Sequence, residues 1–113
     1  MPRIIKSGII QLSLPKTEGE GTIEEIKEAM LQKHIPLIEE AGEKGVQILC
    51  FQEIFNTPYF CPGQDSKWYA SAEPVPGPTT ERMAAYAKKY NMVMIVPMYE
   101  KEQPGVLYNT AAV

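Results

Sequence analysis

Val46-Gln47-Ile48-Leu49-Cys50-Phe51, running directly into Gln52-Glu53, is the stretch that decides the fold class. An apolar run this short and nearly unbroken reads as a strand covered on both faces, as in parallel sheets flanked by helices. A parallel strand needs helical crossovers before and after it.

Upstream, Ile4, Ile5, Ile9, Ile10, Leu12 and Leu14 predict a strand over residues 4–14, and Pro-Lys-Thr-Glu-Gly-Glu-Gly over residues 15–21 is a loop by its turn residues. Thr22 stands three residues before Glu25, a capping-box pattern. Ile23, Ile26, Met30, Leu37 and Ala41 follow at mostly helical spacing, which predicts a helix over residues 22–41. Pro36 is expected to bend it by displacing the Gln32 carbonyl. Gly42 and Gly45 read as stop signals. His34 falls on the more polar side and is expected at the solvated surface.

Downstream, residues 54–78 carry aromatics, prolines and glycines without a sustained period, a loop long enough to suggest function. A second helix is predicted from Thr79 or Thr80 to Tyr90, with Met83, Tyr86, Ala87 and Tyr90 on one face. Glu81 in its first turn and Lys88 and Lys89 in its last complement the helix dipole, and Asn91 can end it in a left-handed conformation. Residues 92–96 form another apolar strand continuing through Tyr99. Residues 101–105 read as a turn, and residues 106–113 as a final strand. The order β-α-β-α-β-β is an α/β sheet closed by a hairpin.

Composition narrows the function class. Eleven Lys and Arg against fourteen Asp and Glu give a formal net charge of −3, which argues against nucleic-acid binding. No apolar run reaches membrane-spanning length, and Lys6, Ser7 and Gly8 interrupt the start before a signal-peptide core can form. Cys50 and Cys61 do not make a disulfide framework, and free thiols suggest a reducing, cytoplasmic setting. With His34 as the single histidine and no close Cys/His cluster, no metal site is expected.

In open parallel sheets ligands bind beyond the carboxyl ends of the strands. Glu53 lies there, at the mouth of the long loop. Desolvation in such a place would raise its pKa toward the range of a general base; the plain alternative is an acid that pairs with a lysine or faces water. Tyr59, Phe60, Trp68 and Tyr69 follow in the loop, either as walls of a pocket or as packing over the sheet end. Asn109 is expected to support the site by bonding to neighbouring backbone. Cys50 reads as a small, buried apolar residue, and Cys61 as an exposed loop thiol.

Leu49-Cys50-Phe51-Gln52-Glu53, followed by Thr57-Pro58-Tyr59-Phe60, resembles the first signature of the nitrilase superfamily of carbon–nitrogen hydrolases. Gly8 to Gln11 is similar to that family's opening strand, Gly77-Pro78-Thr79-Thr80 to the start of its second helix, and Tyr108-Asn109-Thr110-Ala111-Ala112 to the strand after it. Within the family the Phe-Gln-Glu and Pro-Tyr-Phe-Cys stretches look most like the β-ureidopropionase and N-carbamoylputrescine amidase branches. The resemblance implies a four-layer α-β-β-α sandwich, of which this chain is the N-terminal part, and a Glu-Lys-Cys mechanism in which Glu53 is the base. It implies hydrolysis of an N-carbamoyl amine to amine, carbon dioxide and ammonia, with no metal or organic cofactor. Tyr59 and Phe60 become substrate-pocket candidates.

The family's lysine and cysteine fall beyond Val113, and neither Cys50 nor Cys61 matches its nucleophile. Because the sequence stops inside an expected strand, residues 1–113 are expected to be the first part of a longer single domain. That part alone is expected to expose apolar surface and to be inactive. The expected partners are a small amide or carbamoyl substrate and further copies of the chain in a homo-oligomer, with neither nucleic acid nor membrane. Two alternatives stand: another amidase of the family acting on a simple amide or nitrile, and a catalytically incomplete binding module. An unrelated flavodoxin-like domain fits the β-α-β order but lacks a G-x-G-x-x-G loop after the first strand.

Overall fold

A computed structural model describes residues 2–17 and 19–113. Met1, and Glu18 in the loop expected over residues 15–21, lie outside the described residues. Four strands and two long helices follow the expected order: β1 (Ser7–Ile10), α1 (Ile23–Glu43), β2 (Ile48–Phe51), α2 (Pro78–Tyr90), β3 (Val93–Gln103) and β4 (Val106–Ala112). They form one sheet in the order β1-β2-β3-β4. β1, β2 and β3 run parallel, and β4 closes the sheet antiparallel to β3.

Helix α1 starts where its capping box places it: the Glu25 amide donates to the Thr22 hydroxyl at 3.2 Å, and the Glu25 carboxylate accepts from the Thr22 amide at 3.0 Å. It continues unbroken through Pro36. Both helices cover the same sheet face, where Leu31 and Ile38 of α1 and Met83 of α2 pack with Leu49, Phe51, Met94 and Val96. Ion pairing between Arg82 and Glu28 also joins the helices, at 2.6 Å.

Among the described residues, no helix covers the other sheet face. Ile9, Cys50 and Ile95 stand there in register across three strands, and Ile9 is 81% exposed. Among the described residues no helix is long and apolar enough to cross a membrane.

Several expectations are corrected. β1 is confined to Ser7–Ile10, because β2 offers it only Ile48–Phe51 as a partner. Gly42 does not stop α1 but lies inside it: a β-carbon there would fall 2.2 Å from the Tyr90 ring, so glycine lets the two helices approach. The stop is at Gly45, whose φ of +76° suits a residue without a β-carbon. The turn expected over residues 101–105 shrinks to Pro104 and Gly105, since β3 runs on to Gln103 through a register shift between Lys101 and Gln103. Asn91 does end α2 in a left-handed conformation, at φ 51°.

His34 is the largest departure. It is fully buried, between the rings of Phe51 and Phe55 at 5.3 and 5.1 Å. Ile26, Met30, His34 and Ile38 recur every fourth residue, so the histidine is in the middle of the buried stripe. Nδ1 lies 2.8 Å from the Met30 carbonyl, to which it donates in the neutral tautomer. Nε2 has no partner among the described residues. Burial holds its pKa below the ordinary 6.5, with Lys33 adding to the effect and the Met30 carbonyl partly opposing it.

A group depressed in this way stays neutral when folded, while the unfolded chain takes up a proton near pH 6.5. Stability is therefore expected to fall as pH drops below that value, by up to about 1.4 kcal/mol per pH unit. His34→Leu should lose this slope between pH 7.5 and 5.5 in urea unfolding. An unchanged slope would assign the effect to other groups.

Candidate active site

β2 and β3 separate at the carboxyl end of β2, and Glu53 stands at this fork. Beyond Phe51 the edge of β3 is taken over by loop backbone. The Phe55 amide donates to the Pro97 carbonyl at 3.2 Å, the Glu73 amide to Tyr99 at 3.0 Å, and the Lys101 amide to Glu73 at 2.7 Å. Gln52 extends the opposite side of the sheet with its side chain: Oε1 accepts from the Leu12 amide and Nε2 donates to the Leu12 carbonyl, both at 2.8 Å. The residue before Glu53 is thus fixed by two bonds.

Residues 53–56 form a turn. Ile54 takes φ 39°, a left-handed conformation that is costly for a β-branched side chain, and its side chain is buried. Strain of this kind persists only where the surroundings hold it, and it collects at functional sites.

Glu53 itself is exposed, so the described residues do not supply the desolvation expected from its position. Its Oε1 accepts from Asn109 Nδ2 of β4 at 2.6 Å. Asn109 thus bonds to the carboxylate, not to backbone as expected. Oε2 has no partner among the described residues and is open to a proton donor. One oxygen anchored and the other free is a workable arrangement for a base.

Tyr59 and Phe60 point to different surroundings. Tyr59 is 61% exposed. Charge on Cys61, a hydrogen bond with Cys61 and the Glu53 carboxylate, in that order, hold its phenol above the usual range. Tyr59, Cys61 and Glu53 therefore share one exposed neighbourhood. Phe60 is half-buried, stacked on Trp68 at 5.9 Å and tilted against Tyr99 at 5.2 Å.

Trp68 is packing, at 2% exposure, whereas Tyr69 is exposed. Cys50 is half-buried, not buried as expected, and its thiol donates to the Phe51 carbonyl at 3.3 Å. An apolar groove of about 510 Å³ lies between α2 and the β3–β4 pair, lined by Met83, Met92, Val96 and Ala112; Glu53, Tyr59 and Asn109 are not in its wall.

Sequence reading missed Glu73, which is buried with its carboxylate fully engaged. It pairs with Lys27 of α1 and accepts from the Thr79 amide at 2.9 Å and the Thr79 hydroxyl at 2.6 Å. Burial alone would raise its pKa; Lys27, the Thr79 hydroxyl and the Thr79 amide more than offset this and hold it below the usual carboxylate range. No local pattern marks it, because Lys27 and Asn56 come to it from other segments of the chain.

The sequence model of the carbon-nitrogen hydrolase family matches residues 9–113. A beta-ureidopropionase from Arabidopsis thaliana is 36% identical over 99% of the chain, which covers 28% of that protein. An omega-amidase from Xenopus tropicalis is 38% identical over 78% of the chain, covering 30% of its own length. An N-carbamoylputrescine amidase from Solanum lycopersicum is 37% identical over 68% of the chain and 26% of its own length. The chain therefore spans less than a third of each of these relatives.

The crystal structure of a carbon-nitrogen hydrolase from Helicobacter pylori G27 superposes with a TM-score of 0.70 at 21% identity, over 95% of this chain and 34% of that one. At that identity the likeness speaks for the fold alone. Family match, relatives and fold agree, and the chain belongs to the carbon-nitrogen hydrolases.

Proposed function

We propose that this chain supplies the general base, Glu53, of a hydrolase that cleaves a non-peptide C–N bond, with an N-carbamoyl amine as substrate and amine, carbon dioxide and ammonia as products. The observation that carries the reading is the Glu53 carboxylate at the carboxyl end of β2, with Oε1 held by Asn109 and Oε2 free. In the mechanism implied by the family, a cysteine attacks the carbamoyl carbon, and Glu53 takes the thiol proton and returns it to the nitrogen that departs as the C–N bond breaks. A lysine stabilises the oxyanion, and Glu53 then activates the water that releases the thioacyl group.

The chain spans less than a third of these relatives' length; on this reading that lysine and cysteine are not among residues 1–113, which form the first part of a longer domain and are inactive alone. The bare sheet face bearing Ile9, Cys50 and Ile95 is where the second sheet of a four-layer sandwich would pack. Tyr59 lines the substrate side of Glu53, Phe60 backs the loop from within, and Asn109 orients the base. Homo-oligomer formation and a cytoplasmic setting complete the reading; the free thiols of Cys50 and Cys61 agree with the latter.

The omega-amidase relative favours one alternative, a simple amide as substrate. Ammonia and carbon dioxide release distinguishes the two when the complete enzyme is given N-carbamoyl-β-alanine, N-carbamoylputrescine, a simple amide and a nitrile. Equal amounts of both gases from an N-carbamoyl compound are expected. Ammonia from the amide alone would replace the carbamoyl reading with the amidase one, and no product from any of the four would leave a binding module.

A further inference from the structure

Glu73 has no place in the chemistry above, yet its carboxylate gathers groups from three parts of the fold. Lys27 reaches it from α1 and also donates to the Ser71 carbonyl at 3.0 Å. Thr79 reaches it from the first turn of α2 with both amide and hydroxyl. Asn56 reaches it from the turn after Glu53: its Nδ2 lies 3.2 Å from Thr79 Oγ1 and 3.4 Å from Glu73 Oε2. A helix N-terminus presents unpaired amides and a positive dipole end, and here the chain's own carboxylate occupies it.

A buried ion pair is weak evidence for stability, because desolvation cancels much of its attraction. What the pair can confer is a fixed arrangement, and the neighbouring turn requires one. Ile54, at φ 39°, sits between Glu53 and the anchored Asn56. A second route runs through the backbone. Glu73 bonds to Tyr99 and Lys101 of β3, and Tyr99 stands opposite Asn109, the donor to Glu53.

We infer that Glu73 is a positioning residue for Glu53: its buried carboxylate holds Asn56, and through it the strained turn that carries Glu53, against the start of α2. The inference rests on reading Glu53 as the base. Its test does not depend on catalysis.

The reporter is the Asn109 side-chain amide, followed by ¹⁵N NMR in the complete enzyme, with Glu53→Ala giving its resonances when the contact is lost. In Glu73→Gln, which keeps the volume and removes the charge, these resonances are expected to move toward the Glu53→Ala positions. Backbone amides of residues 53–57 should exchange at least about tenfold faster, while those of Met30 and Ile38 keep their protection. Unmoved Asn109 resonances, or protection lost evenly along the chain, would overturn the inference.

Should Glu73→Gln fail to fold, Thr79→Val removes the hydroxyl between Asn56 and Glu73 and leaves the ion pair in place. A smaller shift of the Asn109 signals in the same direction is expected, and no shift is again contrary. Glu53 could prove not to be the base with these results intact, and activity measurements decide that question separately.

Discussion

Glu53→Gln is expected to lower carbamoyl hydrolysis by the complete enzyme by about 10²–10⁴-fold, the usual contribution of a positioned general base. Glutamine preserves the shape, and its carbonyl oxygen can still accept from Asn109, so the site should keep its geometry and lose only its proton acceptor. Because Glu53 is exposed, stability should change by no more than about 0.5 kcal/mol. The loss should therefore appear in kcat, with KM little changed. Ammonia release and urea unfolding of the same preparation check both halves. A loss under about tenfold, or one that tracks unfolding, would remove Glu53 from the chemistry.

Trp68→Ala is expected to cost about 3–5 kcal/mol of stability, the range for deleting a large buried aromatic. Trp68 is 2% exposed, stacks on Phe60 and carries the Lys67 ammonium 5.3 Å from its ring centroid. The Ser66–Ser71 segment that carries it packs against α1. Tyr69, its exposed neighbour, is the control: Tyr69→Ala should stay within about 0.5 kcal/mol. Urea midpoints of the two variants measure the difference. Similar, small losses would mean that the loop is a loosely held wall with no packing role of its own.

The difference between these two neighbouring aromatics shows how far the sequence can be read. Signals confined to a few residues were legible: the apolar run of β2, the Thr22–Glu25 capping box and the left-handed Asn91 all appear in the structure. So does the position of Glu53 at a strand's carboxyl end, because the apolar run of β2 ends at Phe51. His34 was misread through its polarity, although the four-residue spacing of Ile26, Met30 and Ile38 already placed it on the buried stripe.

Other features depend on contacts between distant segments. Gly42 is set by Tyr90 across the helix pair. Charged Lys101 remains in β3 because it pairs with Leu107 of β4 and donates its amide to the Glu73 carbonyl on the other side. Glu73 itself lies in a stretch of alanine, serine and proline and reveals its role only when Lys27, Asn56 and Thr79 converge on it. The Glu53–Asn109 bond likewise joins the end of β2 to β4, across β3.

Chemical rescue examines the role of Glu53 most directly. In the complete enzyme carrying Glu53→Ala, formate can enter the space left at this exposed position and act as the missing base. Ammonia release is predicted to rise in proportion to added formate, and not with chloride at equal ionic strength. A rate that ignores formate, or that rises equally with chloride, would contradict the assignment of Glu53 as the general base.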